Sequence, residues 1–134
     1  MTLTDQTLRR STLAVRDDGR AVLDVRLPWY RSMPVGAIEL SALRIDGVDV
    51  DPAAVRWIVG GRELDAAQAA ACPDPWYLQD AVPLVLPVAP ASSAARIELA
   101  VDVAVSYLAP GVAPVLRVEV AGTVPVVRSD AARP

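Results

Sequence analysis

The sequence contains no histidine, no lysine and no asparagine, and its 134 residues include a single cysteine. The absence of histidine removes the commonest general base and the commonest metal ligand. Without lysine, Schiff-base catalysis and a Walker A nucleotide site are excluded. One cysteine without any histidine matches no structural zinc site and cannot form an internal disulfide.

The sequence also lacks an excess of positive charge and long apolar runs. The formal net charge is −3, whereas a nucleic-acid-binding domain usually carries a basic stripe. No apolar run approaches the roughly 18 residues that would suggest a membrane span. Residues 1–16 contain no apolar run long enough for a signal peptide, so we expect a cytoplasmic protein without nucleic-acid or membrane partners.

Aliphatic residues make up for the missing aromatics. Hydrophobic residues account for 53% of the chain although phenylalanine is absent, so valine, leucine, isoleucine and alanine must fill the core. The length suits one hydrophobic core, which predicts a single domain over 1–134 with a frayed tail from about 128 to 134.

Apolar and polar residues alternate with period two through much of the chain. From Ala95 to Tyr107 the apolar residues occupy odd positions, and from Val115 to Val126 they occupy even positions. This period predicts strands with one buried face. Gly122 and Pro125 predict a sheet edge or a bulge at the far end of the second strand.

Turn and cap signals divide the remaining segments. Asp18-Gly19 and Asp46-Gly47 predict hairpins, and a slip of the alternation near Ser41-Ala42 predicts a bulge. The segment Asp65–Cys72 predicts a short helix with an aspartate N-cap, which Pro73 ends. Together these signals predict an all-β fold, an antiparallel β-sandwich with one short helix.

Carboxylates and the cysteine are the remaining groups with chemical potential. Glu98 with Asp102, or Glu39 with Glu119, would be the carboxylate pairs for glycosidase-like chemistry. Glu98 and Asp102 fall on the polar face of a strand, where solvated charges are expected, and this interpretation is favoured. Cys72 has no histidine or lysine to lower its pKa, which favours a buried small hydrophobe over a nucleophile. No catalytic residue is therefore expected in this chain.

The tripeptide Pro-Trp-Tyr occurs twice, at 28–30 and at 75–77. Consecutive tryptophan and tyrosine side chains cannot both point to one face of a sheet, so at least one of each pair should be exposed or covered by a partner. Two interpretations stay open, aromatic plugs at the ends of the sandwich or an aromatic protein interface. Arg31, Met33 and Pro34 fit the second, because aromatic residues, methionine and arginine are enriched at interfaces.

A run around the first tripeptide resembles a known family. Val25–Val35, which reads VRLPWYRSMPV, is similar to a segment of the small β subunits of bacterial C-glycoside deglycosidases. Further segments resemble that family in the same order: Leu43–Val50, Val55–Leu64, Pro75–Leu78 and Val105–Leu108. The chain departs from the family at Trp29, since those subunits often have two tyrosines where this chain has Trp29-Tyr30.

The resemblance implies a β-sandwich subunit that assembles with a larger TIM-barrel catalytic α subunit into a higher-order hetero-oligomer. The α subunit would carry a divalent metal, manganese or a similar ion, and the catalytic histidine. Such a complex is a carbon–carbon lyase, which cleaves the bond between sugar and aromatic aglycone in 3-keto C-glycosides by elimination. The partner interface or pocket rim is then expected at Trp29, Tyr30, Arg31, Met33, Pro34, Trp76 and Tyr77.

Two alternatives belong to other functional classes. A carbohydrate-binding module would use the two Trp-Tyr pairs as platforms that stack on sugar faces. A structural interaction domain of an unrelated complex would need only the exposed aromatic residues.

Overall fold

The computed structural model describes residues 7–8, 11–27, 32–77, 80–104 and 115–128, and strands dominate them. The strands are β1 (Leu13–Val15), β2 (Ala21–Arg26), β3 (Met33–Pro34), β4 (Ile38–Ile45), β5 (Val48–Val50), β6 (Arg56–Val59), β7 (Arg62–Leu64), β8 (Pro75–Trp76), β9 (Ala81–Leu86), β10 (Ala94–Ala104) and β11 (Val115–Arg128). A short α-helix, α1 (Ala66–Ala70), and 3₁₀ turns at Val35–Ala37 and Pro52–Ala54 lie between them. The predicted all-β fold with a short helix is confirmed.

Most of the described strands belong to one large sheet with the order β5-β4-β10-β11-β1-β2-β9-β6-β7, while β3 and β8 form a separate ribbon. The long strand β11 connects the two halves of this sheet. It pairs with β10 from Val115 to Pro125 and with β1 from Val126 to Arg128.

One pairing differs from the antiparallel arrangement that the sequence predicts. Strands β1 and β11 run parallel, whereas the other pairs in the described part of the chain are antiparallel. The parallel pair joins residues that lie far apart along the chain, so no local turn signal predicts the relative direction of the two strands. The sheet is therefore mixed.

The hydrophobic core includes residues from both halves of the sheet. Leu23 and Leu86 contribute from one half, and Ile97 and Val124 from the other, and all four are buried within the same cluster. The two-layer sandwich itself stays a prediction. In the described part of the chain, no helix is both long and apolar enough to cross a membrane.

The alternation along β10 and β11 places the core residues largely as predicted. On β10 the buried residues Ala95, Ile97, Leu99, Val101 and Val103 occupy odd positions, the even-numbered Ala100 is buried as well, and residues 105–107 lie outside the described part. On β11 the buried residues are Val118, Val120 and Val124, but Leu116, which shares their parity, is 42% exposed. The expectation that Leu116 is buried is therefore wrong, and among the described side chains the buried face of β11 begins at Val118.

The predicted turns form where the sequence places them. Asp46 and Gly47 join β4 to β5 with φ angles of 52° and 81°, as a type I′ turn requires. At the first hairpin, Asp18 accepts from the Arg20 backbone N–H and from its guanidinium, each at 3.0 Å. These contacts, the backbone hydrogen bond first, hold the pKa of the Asp18 carboxyl below its usual value.

The phase slip in β4 is a bulge, as predicted. Ala100 of β10 lies opposite Ala42, but the next residue, Val101, lies opposite Leu40. Ser41 is the extra residue, and its hydroxyl donates to the Ala100 carbonyl at 3.0 Å. The bulge restores the burial of Leu40 on the same face as Leu43.

Helix α1 is short, and a capping box stabilises its N-terminus. The Asp65 carboxylate accepts from the Gln68 backbone N–H at 2.8 Å, and the Gln68 side chain accepts from the Asp65 N–H at 2.9 Å. This capping box satisfies donors that a helix start leaves open. The helix ends before Cys72, which is buried, as the small-hydrophobe interpretation expects.

Candidate partner-binding site

The four predicted interface residues that the structure describes are Met33, Pro34, Trp76 and Tyr77. Trp29, Tyr30 and Arg31 lie outside the described residues. Met33, Pro34 and Trp76 lie in the ribbon of β3 and β8, and Tyr77 directly follows β8. In the ribbon Met33 lies opposite Trp76, and Pro34 lies opposite Pro75. The pairing places the second tripeptide beside the segment that follows the first.

Trp76 and Tyr77 have opposite environments. The Trp76 side chain is 2% exposed, and its indole N–H donates to the Asp80 backbone carbonyl at 2.9 Å. Its ring meets the ring of Trp57 edge-on, with centroids 6.3 Å apart and planes at 86°. Tyr77 is 57% exposed. The expectation that at least one residue of this aromatic pair is exposed is therefore confirmed.

The burial of Trp76 divides the predicted interface in two. Its ring belongs to the core of this chain, as the aromatic-plug interpretation expects. Tyr77 and the exposed Pro34 present surface to solvent, and Met33 is half-buried against the core. The interface prediction therefore continues to apply to the accessible surface of the ribbon rather than to the Trp76 ring.

The backbone fixes the ribbon to the segment that follows α1. The Val35 N–H donates to the Asp74 carbonyl at 2.9 Å, and the Gly36 N–H donates to the Cys72 carbonyl at 3.0 Å. A Cβ atom on Gly36 would lie 2.6 Å from the Ala70 carbonyl oxygen, which is closer than real Cβ contacts. Only glycine allows this approach without a shift of the backbone.

Sequence reasoning missed two supports of this site. Trp57 backs the Trp76 ring, and Gly36 permits the close approach to the end of α1. The alternation of Val55, Trp57 and Val59 gives a signal that Trp57 is buried, but nothing local indicates its contact with Trp76. The position of Gly36 outside a turn motif gives no comparable signal.

The candidate carboxylate pairs lie on the outer face of β4, β10 and β11. Glu39 and Arg117 flank Asp102 on the neighbouring strands, and Glu119 lies opposite Ala100. A depression of about 470 Å³ on this face is lined by alanines, including Ala100, and by Glu119.

Charges of both signs alternate across this outer face. Arg44 lies opposite Glu98 and pairs with Asp49 at 3.0 Å. Such mixed, solvent-facing charges match the solvated-face interpretation. Within the described ranges, no three histidine, cysteine, aspartate or glutamate side chains cluster as a metal site would require.

Comparisons with known proteins identify relatives of the chain. No protein-family model matches it. A C-glycoside deglycosidase beta subunit of Arthrobacter globiformis is 40% identical over 60 residues, which is 45% of each chain. A 3'-dehydrocarminate deglycosidase beta subunit of a Microbacterium species is 35% identical over 74 residues, 54% of this chain and 56% of the relative.

A third relative gives the same result. A C-glycoside deglycosidase beta subunit of Microbacterium trichothecenolyticum is 36% identical over 74 residues, 54% of this chain and 55% of the relative. The chain thus spans about half the length of the curated relatives it matches. The resemblance to the β subunits of C-glycoside deglycosidases is confirmed.

Proposed function

We propose that this chain is the non-catalytic β subunit of a C-glycoside deglycosidase and stabilises a larger catalytic α subunit. The observation that carries the proposal is the 35–40% identity to three curated β subunits. One relative is the beta subunit of a 3'-dehydrocarminate deglycosidase, and this name supports a keto sugar as the substrate of the complex.

The composition of the chain supports this division of labour. In the proposed elimination a base removes the acidic proton next to the sugar keto group, and a carbon–carbon double bond forms in the sugar as the bond to the aglycone breaks. The aglycone carbon leaves with the electron pair of that bond and takes up a proton. The chain has no histidine to act as that base. In the proposal, the base and a divalent metal, manganese or a similar ion, belong to a TIM-barrel partner, and this chain shapes and braces the partner's site.

The β3–β8 ribbon is the proposed contact with the partner. Tyr77 offers a large exposed side chain directly after β8, and the core contacts of Trp76 and Trp57 hold the ribbon in place. Rigid aromatic side chains are the commonest anchors of protein interfaces. The binding-module alternative loses one platform, because the buried Trp76 ring cannot stack on a sugar.

Co-expression with a candidate large subunit tests the function. We expect the two chains to co-purify and the pair to cleave a 3-keto C-glucoside, while the large subunit alone loses most of its activity. Cleavage at the same rate without this chain would overturn the proposal. Retention of the isolated chain on a glycan column would instead favour the binding module.

A further inference from the structure

Within the described part of the chain, one edge of strand β11 is unpaired along most of its length. It pairs with β10 from Val115 to Pro125, and its pairing with β1 begins only at Val126. Among the described residues, no strand pairs with its other side before that point. Open edges of this length are templates for a further strand.

The register shows which backbone groups this edge presents. The Val126 N–H donates to the Ser93 carbonyl of the β10 side at 2.9 Å, so even positions of β11 bond towards β10. The odd positions therefore direct their N–H and C=O groups away from β10. These are Arg117, Glu119, Ala121 and Thr123, and Pro125, which has no N–H, follows them at the next odd position.

The exposed residues of the edge are complementary to themselves. We propose that a second copy of this chain pairs antiparallel with β11 about a two-fold axis at Val118. In this register Arg117 lies opposite the second copy's Glu119, and Glu119 lies opposite the second copy's Arg117. Both side chains are exposed, and neither forms an ion pair within the described residues. Opposite charges directly across an antiparallel pair stabilise it.

The apolar face of β11 supports the same register. Leu116 has the parity of the buried residues Val118 and Val120 but is 42% exposed. In the proposed pair Leu116 lies opposite the second copy's Val120, so its side chain is covered. The new pairing extends the sheet through both chains, and each buried face continues into the other.

Charges on an edge strand usually prevent such pairing, and here they select one arrangement. A register one pair away would place Glu119 opposite the second copy's Glu119, which is repulsive. The register centred at Val118 replaces this repulsion with two attractive pairs. A strand from a different protein is the competing occupant, and nothing requires its charges to mirror those of β11.

Sedimentation velocity on the full chain over a concentration series tests the proposal. We expect a monomer–dimer equilibrium, and Glu119→Arg and Arg117→Glu should each weaken dimerisation roughly tenfold or more, because both pairs become repulsive. An equimolar mixture of the two variants should restore dimers, since each arginine strand then meets a glutamate strand. Circular dichroism confirms that each variant folds.

Ala121→Pro is the second variant, and it leaves the charges untouched. The N–H of Ala121 points away from β10, and Pro125 already occupies an equivalent odd position in the same strand. Proline at 121 should therefore keep the pairing with β10 and abolish dimers, because the second copy loses a hydrogen-bond donor. A wild-type chain that stays monomeric at every concentration would overturn the proposal. Dimers that survive both charge variants, or single variants whose mixture stays monomeric, would overturn it too. This outcome is independent of whether the chain binds a deglycosidase α subunit.

Discussion

Gly36 is the glycine at which the structure predicts the largest loss of stability when a methyl group is added. Alanine at this site would place a Cβ atom 2.6 Å from the Ala70 carbonyl oxygen and 3.0 Å from the Cys72 carbonyl oxygen. Both neighbours are backbone atoms, so relief requires the end of α1 or the β3–β8 ribbon to move. Overpacking of this kind costs about 1–3 kcal/mol.

A smaller effect acts in the opposite direction. Replacing glycine by alanine restricts the unfolded chain and stabilises the fold by about 0.4–1 kcal/mol. From these two effects, Gly36→Ala is expected to lower the free energy of unfolding by about 1–2 kcal/mol. For a chain of this size the melting temperature should fall by roughly 4–8 °C. Urea denaturation followed by tryptophan fluorescence measures the free energy of unfolding directly.

Gly122→Ala is the matched control. Among the described residues, a Cβ atom there would meet only the Leu8 side chain, at 3.1 Å, and the end of a flexible side chain can shift. The control should change the free energy of unfolding by less than about 0.5 kcal/mol, since the restriction of the unfolded chain offsets the contact. If Gly36→Ala proved as stable as wild type, or no less stable than the control, the packing argument at Gly36 would be refuted.

Three further predictions follow from the ribbon and the first hairpin. Tyr77→Ala should weaken co-purification with the large subunit by an amount on the order of 2 kcal/mol without lowering the melting temperature, whereas Val48→Ala, which also truncates an exposed apolar side chain, should change neither. Trp76→Phe should lower the free energy of unfolding in urea by about 1–3 kcal/mol, because the Asp80 carbonyl loses its donor and the smaller ring fills less of the core; an unchanged free energy of unfolding would show that the indole N–H bond does not stabilise the fold. The Asp18 carboxylate has a lowered pKa in the fold, so its stabilisation is present above its unfolded value of 3.8 and is lost as the pH falls through the folded value. The melting temperatures of wild type and Asp18→Asn should therefore differ at pH 6 and converge at about pH 2; a constant difference would contradict the contact with Arg20.

Elements defined within a few residues could be predicted from the sequence. The Asp46-Gly47 turn is such a case, because its positive φ angles select glycine and aspartate locally. The Ser41 bulge is another, since the slip in alternation is visible in the strand itself. The helix start at Asp65 depends on one N-cap and one side chain three residues on.

Pairings between distant segments could not be predicted in the same way. The direction of β1 against β11 depends on where the chain returns after more than half its length, which no local pattern records. The β3–β8 ribbon is of the same kind, because it joins Met33 to Trp76. Its strands are too short to show any alternation. The candidate site was therefore predicted as two separate segments, and only the fold shows that Met33-Pro34, which follows the first tripeptide, pairs with the second.

The aromatic pair 76–77 shows how local and distant constraints combine at this site. The pleat alone requires that the two side chains point to opposite sides, and it does not say which one is buried. The Asp80 carbonyl and the ring of Trp57 decide that question, because a buried indole N–H needs an acceptor and a buried ring needs an apolar neighbour. Once Trp76 satisfies both, Tyr77 must face solvent. The proposed partner contact at Tyr77 therefore depends on Trp57, although Trp57 itself is buried.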